Sequence, residues 1–173
     1  PLPRAQGMAG VALTLSTVLT LGYVIGVVVQ VHPWYEPQYI IPLAGMILGN
    51  VMSSVALAAD RLQGELRLRA GEIETRLVLG FSGPDAVQPQ VRSALRAAMT
   101  PTINGMMTVG LVQLPGMMTG QILAGTSPLV AVRYQIMVVL MLAMATGIGA
   151  WIFLRLAVGR YLTPAHQLRR ELL

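Results

Sequence analysis

The chain has 173 residues, of which 54% are hydrophobic and 11% are charged, and its formal net charge is +5. A soluble globular domain carries about 25% charged residues, so this composition excludes an ordinary water-exposed fold and indicates an integral membrane protein. All basic residues are Arg and they flank apolar blocks, a pattern that favours lipid headgroups and argues against nucleic acid as a partner. The absence of Cys excludes disulfides, thiolate metal sites and a Cys nucleophile.

Long apolar blocks set the predicted architecture, because about 20 apolar residues in a helix cross a bilayer core. The first block carries no charge, the second contains Pro42, and the third is interrupted at Pro115–Gly116. Such residues are tolerated in membrane helices where neighbouring groups satisfy the freed backbone. We therefore predict an all-α membrane protein with one domain over residues 1–173 and about four transmembrane helices, over residues 8–31, 38–59, 99–124 and 128–156.

A polar loop over residues 60–98 separates the second block from the third. Apolar residues recur in it at helical spacing, which predicts an amphipathic helix over residues 60–79. The segment from Gly80 to Pro84 breaks this helix, and Pro84 suits the first turn of a second one. Asp85 would then interact favourably with the second helix dipole.

Arginine counts near the ends of the blocks predict the orientation in the membrane. The loop over residues 60–98 contains six Arg and the segment from Arg155 through the tail over residues 157–173 contains four, whereas Arg133 alone lies on the opposite side. The central loop and both termini are therefore expected on the cytoplasmic side of the cell (inner or plasma) membrane.

The predicted spans lack the ionisable side chains that couple transport to an ion gradient, and the chain lacks a phosphate-binding loop for ATP. Apart from tyrosine, residues 38–59, 99–132 and 134–154 contain no ionisable side chain, whereas ion-coupled transporters usually carry such groups inside the membrane. A phosphate-binding P-loop requires Lys, and the chain has none. We therefore expect no enzymatic activity and no cofactor in this chain, with ATP and magnesium bound by a separate ATPase that docks on the 60–98 loop.

Several segments resemble known permeases. The segment from Glu74 to Gly80, followed by Pro84 to Ala86, resembles the docking loop of ABC-transporter permeases, although an ordinary solvated helical hairpin has the same pattern. Three longer segments resemble signatures of the FetB/YbbM-like permease family, and two short ones also fit. In order, these segments are Ile41–Asn50, Arg92–Thr102, Thr108–Gly120, Tyr134–Val138 and His166–Leu168.

The resemblance implies an ABC permease, paired with an ATPase and forming a homodimer in the lipid bilayer. Bacterial relatives are linked to iron export and peroxide resistance, and plant relatives to aluminium tolerance with UDP-glucose proposed as a substrate. An exporter linked to iron or other metal homeostasis is thus expected. A permease for a nucleotide sugar or other organic solute, a non-transporting membrane scaffold, and a channel or secondary carrier remain alternatives. Family members are longer at the N-terminus, so we expect an N-terminally incomplete permease.

Two sets of residues are candidates for function. The resemblance to the docking loop implies that the ATPase contacts Glu74, Leu77, Leu79, Gly80, Pro84 and Ala86. Polar and Met side chains of the matched spans are the candidates for the substrate pathway, namely Met46, Asn50, Asn104, Gln113, Met117 and Met118. Met can bind soft metals but also fills irregular gaps in packed cores, and the polar residues can instead hydrogen-bond between helices, so a metal ligand set stays open.

Overall fold

The computed structural model describes residues 5–29, 37–109, 116–163 and 167–169. These residues are almost entirely helical. The helices are α1 (Ala5–Tyr23, continued by a π-helical segment Val24–Val29), α2 (Pro37–Leu68), α3 (Ala70–Val78), α4 (Gly83–Ala86), α5 (Gln88–Thr108), α6 (Gly116–Leu123) and α7 (Pro128–Tyr161). The predicted all-α architecture is confirmed.

Within the described residues, three helical segments are long and apolar enough to cross a membrane: Gln6–Val27, Ile40–Leu68 and Pro128–Tyr161. They correspond to the first, second and fourth predicted spans. The 34 residues of α7 extend over about 51 Å at 1.5 Å per residue. Because a bilayer core is about 30 Å thick, one end of α7 must project beyond the apolar zone.

The region of the third predicted span contains two helices. α5 begins at Gln88 within the polar loop and ends at Thr108, and Val109 already has extended backbone angles. α6 begins at Gly116 and has 8 residues. Residues 99–124 are therefore not one continuous helix, and Pro115, at the predicted interruption, lies outside the described residues.

α7 is the central helix of the bundle, since it packs against α1, α2, α5 and α6. Small residues let its neighbours approach closely. At Gly149, an added Cβ would overlap the Cγ1 methyl of Val51 on α2 and lie 3.2 Å from the Ser16 hydroxyl oxygen on α1. Gly149 therefore marks the tightest described contact among α1, α2 and α7.

A buried polar junction joins α2, α5 and α7. The Ser54 hydroxyl on α2 donates to the carbonyl oxygens of Ala98, at 3.2 Å, and Thr146, at 3.5 Å. The Thr102 hydroxyl on α5 lies 3.5 Å from the Thr146 hydroxyl on α7. Interhelical hydrogen bonds of this kind contribute about 0.6 kcal/mol each in membrane proteins.

An ion-pair network ties the polar end of α2 to α5. The Glu65 carboxylate, largely buried, lies 2.8 Å from Arg61 and 3.1 Å from Arg69. It also accepts a hydrogen bond of 3.1 Å from the Ser93 hydroxyl on α5. The network continues along the helix surface through Glu72, 2.7 Å from Arg76.

The predicted helix over residues 60–79 forms as two pieces, because α2 continues to Leu68 and α3 follows after Arg69. Gly80 ends this region in the left-handed conformation, at φ 90°, which glycine adopts without steric cost. Ser82 then caps α4, its side chain accepting from the Asp85 backbone N–H, and Pro84 lies in the first turn.

Candidate functional site

A cavity of about 420 Å³ lies between α2, α5, α6 and α7. Because its α2 and α7 walls belong to candidate membrane spans, the cavity lies at the level of the apolar helices. Most of its lining is apolar, including Leu57, Met106 and Leu142. Amide and hydroxyl side chains also line it, and these are Asn50, Ser53, Ser54, Thr102 and Gln135.

Gln135 is the most informative of these polar residues. Its side chain is only 8% exposed, and its Oε1 atom has no hydrogen-bond partner among the described residues. A buried acceptor without a partner costs roughly 1–3 kcal/mol. Such groups in native proteins usually mark a water or ligand that belongs to the site. Gln135 therefore contributes to the cavity wall with an amide oxygen that is buried and has no partner among the described residues.

The polar residues of α2 have spare hydrogen-bonding capacity toward the cavity. Asn50 uses one amide N–H, which donates to the Met46 carbonyl oxygen at 2.8 Å. The Ser53 hydroxyl donates to the Gly49 carbonyl oxygen at 3.0 Å. The Asn50 amide oxygen and the lone pairs of the Ser53 hydroxyl remain as acceptors. The α2 wall therefore offers neutral acceptors, and the described residues that line the cavity include no Asp, Glu, Lys, Arg or His.

The predicted pathway residues take different positions. Asn50 lines the cavity, and Met46, one turn earlier, is partly buried against the core. Met117 and Met118 are partly buried on α6 beside Gly116, which does line the cavity. Asn104 is exposed on α5 and is not in the cavity wall, and Gln113 lies outside the described residues.

Thr102 and Gln135 were not among the predicted pathway residues, although both face the cavity. Each is a polar residue inside a family-like segment, Thr102 at the end of Arg92–Thr102 and Gln135 within Tyr134–Val138. A neutral polar residue in an apolar helix is thus the signal that could have found them. Among the described residues, no group of three or more His, Cys, Asp or Glu could hold a metal ion.

A second feature lies at the polar end, in the turn between α3 and α4. Three apolar side chains project from it: Val78 is 87% exposed, Leu79 71% and Phe81 52%. We call these three residues the apolar turn. Large apolar side chains exposed together commonly mark an interaction surface.

The predicted docking residues divide into exposed and supporting positions. Leu79, Gly80 and Pro84 are exposed on or beside the apolar turn. Leu77 is partly buried against the core, and Ala86 is fully buried. Glu74, on α3, is partly buried.

Comparisons with known proteins identify the family. The model of UPF0014, described as an uncharacterised protein family, matches residues 1–162. A UPF0014 membrane protein of Synechocystis is 47% identical over 143 residues, which are 81% of this chain and 55% of the relative. Protein ALUMINUM SENSITIVE 3 of Arabidopsis thaliana is 34% identical over 97% of this chain and 60% of its own length.

A third relative carries a more specific name, the "Probable iron export permease protein FetB" of Escherichia coli (strain K12). It is 39% identical over 78% of this chain and 52% of its own length. The chain thus spans little more than half the length of these relatives. No solved structure matches it. With a family match over residues 1–162 and three apolar helices long enough to cross a bilayer, the chain belongs to the UPF0014 family of membrane proteins.

Proposed function

We propose that this chain is the membrane-spanning part of an ABC exporter permease and that the cavity is part of its transport pathway. The observation that carries the proposal is the neutral polar wall around the buried, unpartnered Gln135 Oε1 within apolar helices. Polar side chains are expensive inside a bilayer and usually mark a substrate route. The name of the FetB relative, an iron export permease, supports the same function.

The polar end is proposed to face the cytoplasm and to bind the ATPase. Arginines concentrate at this end, as the positive-inside rule requires of a cytoplasmic side. The apolar turn projects there, and a cleft in a partner protein would remove its three side chains from water. Burial of an exposed apolar side chain contributes roughly 1.5–3 kcal/mol, so Leu79 and Phe81 together supply a substantial part of a stable contact.

Movement of the ATPase would reach the cavity through α2 and α5. The apolar turn lies between these helices in the chain, and Glu65 and Ser93 tie them together at the polar end. Both helices carry cavity residues farther along, Asn50 on α2 and Thr102 on α5. ATP binding shifts the equilibrium between cavity states only if the ATPase binds the two states with different affinity.

The cavity wall favours two cargo classes to different degrees. For iron, it offers the Met106 thioether and neutral oxygens, which are weak ligands for a divalent metal. For an uncharged, polar organic solute, the amides of Asn50 and Gln135 and the hydroxyls of Ser53 and Thr102 offer matched hydrogen bonds. An organic solute is therefore the second candidate cargo beside iron.

Docking is tested by charge substitution at the apolar turn. Leu79→Asp should abolish co-purification of the ATPase and ATP-driven transport, because a carboxylate would have to be buried in the cleft. Leu68→Asp is the matched control, since Leu68 is 85% exposed at the same end but lies outside the turn. Co-purification and transport that survive Leu79→Asp would overturn the docking assignment.

The pathway is tested in proteoliposomes that contain permease and ATPase. Gln135→Leu should lower ATP-dependent flux at least tenfold for the true cargo, and Asn104→Leu, on the exposed face of α5, should not. Ferrous iron and an uncharged sugar are compared in parallel, because the neutral cavity wall matches an uncharged polar solute. ATP-dependent flux of neither compound would favour the scaffold alternative, and flux without ATP would favour a channel or secondary carrier.

A further inference from the structure

Three arginines converge on a second cavity, at the C-terminal end of α7. This cavity has a volume of about 520 Å³. Arg155, Arg160 and Arg169 line it together with the Thr163 hydroxyl, and its remaining wall includes Val158 and Leu162. Among the described residues that line it, there is no Asp or Glu. The cavity therefore combines strong positive charge, a hydroxyl donor and apolar surface.

These arginines differ from Arg61, Arg69 and Arg76 in having no acidic partner among the described residues. Glu65 and Glu72 form ion pairs with the arginines around them. Within the part of the chain that the structure describes, by contrast, no carboxylate forms an ion pair with Arg155, Arg160 or Arg169. Arg155, Arg160 and Arg169 bring three positive charges to the wall of one cavity, so an anion that binds there is attracted by all three.

One described acidic residue beside the cavity wall, Asp85, is already engaged. Pro84 lines the cavity, and Asp85 follows it. The Asp85 carboxylate accepts a hydrogen bond from the Ser82 hydroxyl at the start of α4. It is also exposed to solvent, and it therefore compensates the arginines only weakly.

Residues 167–169 lie against the end of α7, and Arg169 thereby joins the cavity wall. The Arg169 backbone N–H donates to the Tyr161 carbonyl oxygen at 2.9 Å, and the Thr163 backbone N–H donates to the Gln167 carbonyl oxygen at 2.9 Å. Leu162 and Leu168 form an antiparallel bridge. The arginine cluster is therefore built by specific backbone contacts, whereas membrane orientation alone would require only positive charge somewhere near the helix end.

The cavity lies at the level of the lipid headgroups. Trp151 and Arg155 are one turn apart on α7, and the guanidinium carbon lies 5.3 Å from the centroid of the Trp151 ring. Tryptophan concentrates at membrane interfaces. From Leu129, near the start of α7, to Trp151 the helix extends about 33 Å, close to the thickness of a bilayer core. The exposed ring of Trp151, one turn from Arg155 toward the middle of α7, then continues from the cavity toward the acyl-chain region.

We propose that this cavity binds the phosphate of an anionic membrane lipid. Guanidinium groups match phosphate oxygens with paired hydrogen bonds, and basic pockets beside transmembrane helices are typical headgroup sites. The phosphate lies among Arg155, Arg160 and Arg169, and an acyl chain covers the apolar surface above them. Continuity between the charged cavity and the exposed apolar surface of α7 favours a lipid over a soluble phosphate compound.

Trp151 provides the probe for the test. The chain contains two Trp, so Trp34→Phe leaves Trp151 as the reporter beside the cavity. In vesicles, brominated phosphatidylglycerol should quench Trp151 more strongly than brominated phosphatidylcholine. The preference should fall roughly five-fold for each arginine replaced by Gln, and it should be lost in Arg155→Gln/Arg160→Gln/Arg169→Gln. Comparing the two lipids within each variant removes direct effects of Arg155 on the fluorescence of Trp151.

A matched triple variant separates a site from general charge. Arg67→Gln/Arg92→Gln/Arg96→Gln removes the same charge from the polar end, outside the cavity, and should keep the preference. Equal loss in both triple variants, or no preference in the unsubstituted reporter, would overturn the proposal. Millimolar inorganic phosphate at constant ionic strength should leave the quenching unchanged, and relief of quenching would assign the cavity to a soluble phosphate compound. If the triple variant does not fold, a five-fold loss with Arg169→Gln alone serves the same purpose.

Discussion

Replacing Gly149 with Ala tests the packing at the centre of the bundle. An Ala Cβ at this position overlaps the Cγ1 methyl of Val51 and lies 3.2 Å from the Ser16 hydroxyl oxygen, so α7 must move away from α2 and α1. Overpacking of this kind costs about 1–3 kcal/mol. Ala has a helix propensity about 1 kcal/mol more favourable than Gly. Gly149→Ala should therefore lower the free energy of unfolding by about 0–2 kcal/mol.

Gly147 gives a matched control two residues earlier on the same helix. An added Cβ there would lie 3.6 Å from the Met99 sulfur and 3.7 Å from its methyl carbon, which is ordinary van der Waals contact. Gly147→Ala benefits from the more favourable helix propensity of Ala and introduces no steric overlap, so it should stabilise the protein by up to about 1 kcal/mol. The two variants should thus differ by about 1–3 kcal/mol, with Gly147→Ala the more stable.

Equilibrium unfolding in mixed micelles of mild and denaturing detergent measures this difference. Val51→Ala removes the methyl group that Gly149→Ala would meet, so the double variant should be more stable than the sum of the two single effects predicts. Equal stability of Gly147→Ala and Gly149→Ala would refute the close approach of α7 to α2. Absence of rescue by Val51→Ala would refute Val51 as its cause.

Two further predictions concern polar contacts and use the same unfolding measurement. Ser54→Ala should lower the free energy of unfolding by about 0.6–1.2 kcal/mol, because it removes two interhelical hydrogen bonds, to α5 and α7, of about 0.6 kcal/mol each. Ser53→Ala should have little effect, because Ser53 donates only within α2. Equal effects of the two substitutions would contradict the interhelical role of Ser54. Glu65→Gln should lower the free energy of unfolding by about 1 kcal/mol at low salt and by less at high salt. The reason is that the substitution removes a largely buried carboxylate together with its ion pairs. Glu72 is exposed, and Glu72→Gln should lower the free energy of unfolding by less than about 0.5 kcal/mol. A larger loss of stability for Glu72→Gln than for Glu65→Gln would contradict the prediction.

The extent of α2 is predicted better by the periodicity of its apolar residues than by the local composition. The change from apolar to charged residues at Asp60 suggests a boundary, but α2 continues to Leu68. The reason is that Ala58, Leu62 and Leu66 keep one buried face in phase across this change. The turn at Arg69 has no comparable signal, because Gly71 comes two residues later and no proline is near.

The site was predictable only where a polar residue lay in a recognisable segment. Asn50 could be chosen because an amide is conspicuous between apolar residues of one span. Gln135 is equally conspicuous, but only the packing of α7 against α2 and α5 turns it toward their shared cavity. Asn104 has the same character and faces outward. Helical periodicity shows which residues share a face, but the neighbours of that face depend on tertiary packing.

The unbroken length of α2 makes it a lever arm. Its 32 residues extend about 48 Å as one helix, and Ser54, where it is hydrogen-bonded to α5 and α7, lies about 21 Å from Leu68 at its polar end. A rotation of α2 by about 5° around Ser54 would move Leu68 sideways by about 2 Å. Asn50 lies one turn beyond this pivot, in the cavity wall, and would swing in the opposite direction by a fraction of that distance. A sideways movement of α2 at its polar end, near α3, would thus produce a smaller movement in the opposite direction at the cavity wall.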